Sequence, residues 1–363
     1  MHDRDLVDGI RQRHIPALAR AISLVENGRD GYEALLSALH PMVGKAHRIG
    51  ITGPPGGGKS TLIEGLVQGY RAQDVKVAVV AVDPTSPFTG GALLGDRIRM
   101  ESVTLDPGVY IRSMASRGGR GGLATTTREV CDVLDAFGFN RIIIETVGVG
   151  QSELAIAASA DTTVLVLVPE SGDGVQVLKA GVMEIADLYV VNKADRPGAE
   201  QLCQEVEIML GFRKGNAYRH IAPHHGRNDS TTERGKERSP QADRRTAVPP
   251  YRRGGAEAEG EQWSPPVLTT SATTGEGVHA LLAAIHAHFD HLETSGRLET
   301  LRRERLARHT REVVDRTLSN LVWQEREGEA ILAAGLDDVV SGLVSPYKLA
   351  HDIVADLQED SSV

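Results

Sequence analysis

Short apolar runs alternate with helical segments through the middle of the chain. Runs of mainly apolar residues occupy positions 49–52, 75–82, 109–112, 141–145, 163–168 and 188–192. Continuous apolar runs are typical of parallel strands that are buried on both faces, and their alternation with helices is typical of α/β architecture. The sequence therefore predicts an α/β fold with a doubly wound, mostly parallel sheet, in which ligands bind at the carboxyl ends of the strands.

Helical patterns flank this central region on both sides. Apolar residues recur at near-helical spacing from position 10 to 39, and again from position 278 into the C-terminal region. We therefore expect an N-terminal helical cap over residues 1–47, a central α/β domain over 48–293 and a C-terminal helical dimerisation arm over 294–363. The long apolar seam of the arm fits either packing on the central domain or a dimer contact.

A polar segment interrupts the central domain at residues 213–262. It is rich in Arg, Glu, Gly, Pro and Ser and has almost no apolar periodicity, which predicts a mobile insertion. His220, His224 and His225 lie within it, but no cysteine accompanies them. A metal site is one interpretation of this group. A solvated or partner-binding segment is the interpretation that the composition favours.

Charge and cysteine content limit the binding partners and the cellular compartment that we expect. The formal net charge of −9 argues against non-specific binding to nucleic acid or to acidic membranes. The two cysteines, Cys131 and Cys203, form no CxxC pair, which fits a reducing compartment. The chain has neither an apolar signal core at its start nor a run of about 18 apolar residues. We therefore expect a cytoplasmic protein with no membrane and no nucleic-acid partner.

A phosphate-binding motif follows the first apolar run. Residues 53–61 read Gly-Pro-Pro-Gly-Gly-Gly-Lys-Ser-Thr and match the P-loop pattern, between a strand pattern and a helical pattern. The glycines let backbone N–H groups point at phosphate oxygens, and a helix N-terminus favours negative charge. In this motif the lysine reaches the β- and γ-phosphates, and the serine hydroxyl binds Mg²⁺. The predicted nucleotide-binding residues here are Gly56, Gly57, Gly58, Lys59, Ser60 and Thr61.

The fourth apolar run ends in a second functional motif. Glu145 and Gly148 stand at its end. A carboxylate in this position can hold Mg²⁺, and the N–H of the glycine can meet the γ-phosphate. An apolar residue follows Gly148, and the nearest glutamine that could orient a water is Gln151. We therefore predict slow intrinsic hydrolysis that a partner accelerates.

A base-recognition motif follows the sixth apolar run. Residues 192–195 read Asn-Lys-Ala-Asp, which fits the guanine-reading pattern Asn-Lys-x-Asp. An aspartate carboxylate accepts hydrogen bonds from N1–H and the exocyclic amine of guanine, whereas adenine offers neither donor. Residues 271–273 follow another apolar run and would add a main-chain N–H. GTP is the predicted nucleotide, and the predicted base-binding residues are Asn192, Lys193, Asp195, Ser271, Ala272 and Thr273.

Longer motifs resemble one family of P-loop GTPases. Residues 83–91 (Asp-Pro-Thr-Ser-Pro-Phe-Thr-Gly-Gly), 95–100 (Gly-Asp-Arg-Ile-Arg-Met) and 145–153 (Glu-Thr-Val-Gly-Val-Gly-Gln-Ser-Glu) are similar to those of the MeaB/ArgK family. The resemblance implies that Asp83, Asp96 and Glu145 surround the metal and the γ-phosphate. The predicted Mg²⁺ ligands are then Ser60, Asp83 and Glu145. The predicted catalytic residues are Lys59, Asp83, Asp96, Glu145 and Gly148.

The resemblance also implies a function. Members of this family are homodimeric G-protein chaperones of adenosylcobalamin-dependent acyl-CoA mutases, chiefly methylmalonyl-CoA mutase, whose cofactor loading they gate and which they protect. We therefore expect GTP or GDP with Mg²⁺, a homodimer and a mutase partner. Residues 171–179 match a switch that couples nucleotide to client, with Gln176 and Lys179 as its contacts. The long polar insertion suggests a related client, such as an isobutyryl-CoA or hydroxyisobutyryl-CoA mutase.

Two alternatives belong to other functional classes. A metal-delivery GTPase of the hydrogenase or urease type would need a cluster of Cys and His near the switch loops, which the sequence lacks. A kinase linked to amino-acid transport, an older label in this family, would predict use of ATP. The Asn-Lys-x-Asp pattern contradicts that prediction.

Overall fold

The structure is a computed structural model. It describes residues 3–83, 100–115, 122–146, 159–169, 182–213, 263–325 and 328–359. Among these residues, no helix combines the length and the hydropathy that crossing a membrane requires.

Seven strands form the central sheet. They are β1 (His47–Thr52), β2 (Val77–Asp83), β3 (Val109–Ala115), β4 (Arg141–Thr146), β5 (Thr162–Leu167), β6 (Leu188–Asn192) and β7 (Val267–Thr270). Their spatial order is β3-β2-β4-β1-β5-β6-β7, and every neighbouring pair is parallel. The predicted doubly wound sheet is confirmed. β7 corresponds to the apolar run before residues 271–273, which is not among the six runs from which the sheet is predicted.

Helices cover the sheet and form both flanking regions. They are α1 (Asp3–Arg11), α2 (Ile15–Glu26), α3 (Tyr32–Leu39), α4 (Lys59–Arg71), α5 (Glu101–Thr104), α6 (Gly122–Phe137), α7 (Ala199–Arg213), α8 (Val278–Thr294), α9 (Arg297–Asn320), α10 (Gly328–Val340) and α11 (Pro346–Glu359). Short 3₁₀ turns occur at His40–Met42 and Val182–Glu184, and a π-helical turn at Leu321–Glu325 follows α9.

Both faces of the sheet are buried under helices. Ile142 and Ile144 of β4 lie in an apolar cluster with residues of α2 and α6. Ile143, between them, lies in the opposite cluster with residues of α4 and α8. Successive residues of a strand point to opposite faces, so both kinds of position must be apolar here. This double burial explains the uninterrupted apolar runs in the sequence.

Helix α9 is tied to the amino edge of the sheet by a buried carboxylate. Asp161 directly precedes β5 and is fully buried. Its carboxylate accepts hydrogen bonds from Nη2 of Arg302 and Nη2 of Arg305, each at 3.0 Å, and from the backbone N of Arg48 at 3.0 Å. Burial alone would raise the pKa of Asp161, but the two guanidinium groups hold it well below its usual range.

The remaining surface of the arm combines charged contacts with exposed apolar side chains. Two ion pairs join α9 to α6, Arg128 with Glu312 at 2.7 Å and Arg316 with Glu129 at 3.0 Å. Helix α9 therefore packs against the central domain. Large apolar side chains of the arm nevertheless remain exposed, namely Leu306, Val314, Leu318, Leu336, Val340, Leu343, Tyr347 and Val354.

The chain also re-enters the sheet at this amino edge after the polar segment 213–262. Trp263 precedes β7, and its Nε1 donates to the carbonyl oxygen of Asp187, just before β6, at 2.9 Å. The indole also contacts the rings of His288 and His291 on α8. The chain therefore enters β7 from the amino edge of the sheet.

Candidate functional site

The loop over residues 53–58 connects β1 to α4 and needs glycine at two close approaches. Gly53 has φ +143°, and a Cβ there would lie 2.1 Å from the carbonyl oxygen of Val166 in β5. Gly58 has φ +81°, and a Cβ there would lie 2.4 Å from Nδ2 of Asn192. Only glycine fits these positions. The loop is therefore set directly against β5 and the end of β6.

Lys59 places a buried positive charge inside this loop. It is the first residue of α4 and is 5% exposed. Its Nζ donates hydrogen bonds to the carbonyl oxygens of Gly53 at 2.8 Å and Pro54 at 3.0 Å. A buried ammonium group needs such partners, because burial of an uncompensated charge is costly. The same charge stands where a P-loop receives phosphate oxygens.

Ser60 and Glu145 meet beside the loop. Oγ of Ser60 donates to Oε1 of Glu145 at 2.8 Å, and both residues are buried. Mg²⁺ prefers hard oxygen ligands such as hydroxyl and carboxylate groups, together with phosphate oxygens and water. This donor pair therefore fits Mg²⁺. The third predicted ligand, Asp83, ends β2, but its side chain lies outside the described part of the structure.

Asn192 connects the phosphate loop to the predicted base-binding segments. Its Nδ2 donates to the carbonyl oxygen of Gly57 at 2.8 Å. Its Oδ1 accepts hydrogen bonds from Oγ1 of Thr270 at 3.0 Å and from the backbone N of Ala272 at 3.1 Å. The side chain is buried. Asn192 therefore fixes residues 270–272 relative to the loop.

Asp195 lies at the surface, next to Ser271. Its Oδ1 accepts a hydrogen bond from Oγ of Ser271 at 3.0 Å, and the residue is exposed. Oγ of Ser271 is also 3.5 Å from Oγ1 of Thr273. Lys193, two residues before Asp195, adopts the left-handed conformation with φ 58°. A carboxylate has about four acceptor sites, so Asp195 retains capacity to accept further hydrogen bonds from a ligand.

Supporting threonines at the site have no signal in the sequence. Nothing in the pattern of residues marks Thr270, whose partner Asn192 lies on another strand. The same holds for Thr52 and Thr146, whose side chains hydrogen-bond to each other across β1 and β4. Short polar residues at strand ends are common, so only the folded arrangement identifies these pairs.

Several predicted residues lie outside the described ranges, and their roles stay predictions. Within the described ranges, no group of three or more His, Cys, Asp or Glu side chains is placed to hold a metal ion. The predicted residues outside the ranges are Asp96, Gly148, Gln176 and Lys179, together with His220, His224 and His225.

Comparison with known proteins shows which family this chain belongs to. A family model described as methylmalonyl Co-A mutase-associated GTPase MeaB matches residues 18–327. A Pyrococcus horikoshii protein named as a GTPase is 39% identical over 350 residues, which are 95% of this chain and 95% of that protein. Part of a fused isobutyryl-CoA mutase from Geobacillus kaustophilus is 38% identical over 213 residues, which are 56% of this chain and 20% of that protein.

A solved structure supports the same assignment. The crystal structure of an LAO/AO transport system kinase is similar over 98% of this chain and 97% of that chain, with a TM-score of 0.61 and 25% identity. The family model and the Pyrococcus relative both extend over most of the sequence and carry GTPase names. They confirm the resemblance that the motifs indicate. The chain is therefore a P-loop GTPase that belongs to the MeaB family.

Proposed function

We propose that this protein is a GTP-hydrolysing chaperone of an adenosylcobalamin-dependent acyl-CoA mutase, which gates loading of the cofactor and protects the mutase. One observation carries the proposal: a segment similar to this chain occurs in one polypeptide with an isobutyryl-CoA mutase. Fusion keeps two modules at a high effective concentration and so favours modules that act on each other. The family description, which names methylmalonyl-CoA mutase, supports the same class of client.

In this proposal the site binds GTP with Mg²⁺. Residues 56–61 receive the phosphates, and Lys59 offsets charge that develops on the γ-phosphate. Ser60 and Glu145 hold Mg²⁺ with Asp83, and the cation would add Lewis-acid stabilisation of phosphate charge. Asp195 reads guanine, while residues 271–273 support the base from β7. Asn192 hydrogen-bonds both to the phosphate loop and to the backbone of Ala272, and these contacts support this assignment.

The flanking parts have proposed roles as well. The N-terminal cap comprises residues 1–47, the GTPase domain residues 48–293 and the arm residues 294–363. The exposed apolar residues of α9, α10 and α11 support a contact between two arms in a cytoplasmic homodimer. Gln176 and Lys179 would couple the nucleotide to the client.

The first test measures the effect of candidate clients on GTP turnover. Purified protein should hydrolyse GTP slowly, and one member of a panel of adenosylcobalamin-dependent acyl-CoA mutases should accelerate turnover by about tenfold or more, because a partner completes the site. ATP serves as the control nucleotide. Stimulation by none of the mutases would contradict the proposed client class. A preference for ATP would favour the kinase alternative, and GTP-dependent transfer of a metal to an apoenzyme would favour metal delivery.

A second prediction concerns recognition of the base. Asp195→Asn should reverse the preference between GTP and xanthosine triphosphate by on the order of a hundredfold, because an amide N–H₂ can donate to the 2-carbonyl of xanthine. Competition binding against a fluorescent nucleotide measures the ratio of the two affinities. Asp290→Asn, at an exposed position of α8, is the matched control and should leave the ratio unchanged. An unchanged ratio in Asp195→Asn would show that the base is read elsewhere.

A further inference from the structure

A buried pair of threonines joins the ends of β1 and β4. Oγ1 of Thr146 donates a hydrogen bond to Oγ1 of Thr52 at 3.0 Å. The two residues are 1% and 2% exposed, respectively. Thr52 directly precedes Gly53 of the phosphate loop, and Thr146 directly follows Glu145. The bond therefore ties the strand that carries the loop to the strand that carries the carboxylate.

This bond lies just beyond the backbone pairing of the two strands. The last paired residues of β1 and β4 are Ile51 and Glu145. After them Thr52 pairs with β5, whereas Thr146 pairs with β2. Both strands keep these outer neighbours, and only the direct pairing between β1 and β4 ends where the site begins. The hydroxyl pair links the two strand ends across this point.

A second hydrogen bond to the end of β4 comes from α4 and involves residues of the proposed metal site. Ser60 bonds to Glu145 at 2.8 Å, but both side chains belong to the proposed Mg²⁺ donor set. A cation that takes both oxygens as ligands would replace their direct hydrogen bond. Thr52 and Thr146 are not in that donor set. Their bond is compatible with both the metal-free and the metal-bound site.

We propose that the hydrogen bond between Thr146 and Thr52 positions the Glu145 carboxylate for Mg²⁺-dependent GTP hydrolysis. This inference rests on the proposed role of Glu145. Thr146 is a positioning residue, since it acts through its neighbour and through the strand end. The bond keeps the carboxylate in place while the Ser60 hydroxyl changes partner.

The test compares hydroxyl-deleting and hydroxyl-retaining variants of the full chain. Thr146→Val should lower kcat for GTP about tenfold and raise the half-saturating Mg²⁺ concentration, with KM for GTP within about twofold, because small misplacements of a catalytic group reduce rate more than binding. Thr52→Val should behave in the same way. The double variant should be no worse than either single variant, since both remove one shared interaction. Thr146→Ser should restore near-native values.

Thr163→Val is the matched control. Thr163 is a buried threonine of the adjacent strand β5, and its hydroxyl has no hydrogen-bond partner among the residues that the structure describes. Its replacement should leave kcat and the Mg²⁺ requirement unchanged. Melting temperatures of all variants show whether they fold. If Thr146→Val does not fold, Thr52→Val provides the same comparison.

The outcomes separate this inference from the proposed function. Thr146→Val with native kcat and native Mg²⁺ dependence would overturn the inference, and so would additive losses in the double variant. A native protein without GTP turnover would contradict the proposed reaction instead. In that case Mg²⁺-dependent GDP binding still decides the role of the threonine pair: Thr146→Val should weaken it, and an unchanged Mg²⁺ dependence would refute the positioning role.

Discussion

Replacing Lys59 by Ala should abolish tight binding of GTP and GDP while the protein still folds. Lys59 is buried inside the phosphate loop, where Nζ bonds to the carbonyl oxygens of Gly53 and Pro54. Charge-assisted hydrogen bonds to phosphate each contribute about 1.5–3 kcal/mol. The loss of two such bonds should raise the Kd for GDP at least about a hundredfold. Isothermal titration calorimetry measures this Kd.

The fold should tolerate this substitution because Lys59 serves the ligand more than the core. Removal of a buried ammonium group also removes its desolvation penalty, which offsets the two lost hydrogen bonds. Lys45→Ala is the matched control, since Lys45 is exposed and lies before β1 instead of after it. The control should bind GDP normally. A Lys59→Ala protein with native GDP affinity would refute the assignment of the phosphate site.

The second large effect concerns stability and the attachment of the arm. Asp161→Ala should lower the free energy of unfolding by about 3–5 kcal/mol, because it leaves the guanidinium groups of Arg302 and Arg305 without their shared buried carboxylate. The melting temperature should fall by roughly 5 °C or more. Differential scanning calorimetry measures the change. Limited proteolysis should also show earlier cleavage between α8 and α9.

The contribution of Asp161 to the free energy of unfolding depends on pH, in the direction that the shift of its pKa dictates. The guanidinium groups of Arg302 and Arg305 hold the pKa of Asp161 in the folded chain below its ordinary value. The contribution is therefore complete above the unfolded pKa and is lost as the pH falls through the folded pKa. Asp352→Ala is the control, because Asp352 pairs with Lys348 on the exposed surface of α11. It should change stability by less than about 1 kcal/mol. Equal effects of both substitutions would contradict the anchoring role of Asp161.

The sequence predicts the core of the fold because local chemistry dictates it. Parallel strands that are buried on both faces must be apolar throughout, so Ile142, Ile143 and Ile144 are recognisable before their neighbours are known. The P-loop is equally local, since its glycines and Lys59 lie within nine consecutive residues. The bond between Ser60 and Glu145 joins two residues that motifs identify separately.

The parts that the sequence does not predict depend on contacts between distant residues. Thr270 and Thr146 are ordinary threonines until the fold places them beside Asn192 and Thr52. Asp161 likewise precedes an apolar strand without any motif, and its partners lie more than a hundred residues later on α9. The four-residue strand β7 is too short for its pattern to be separated from a buried loop.

The position of Trp263 has a consequence for the nucleotide site. Trp263 lies beside Asp187 at the amino edge of the sheet, whereas the phosphate loop follows the carboxyl end of β1. The length of the strands therefore separates this point of re-entry from Lys59 and Asn192. A substitution that releases the indole of Trp263 acts on the sheet at the edge opposite to the phosphate loop.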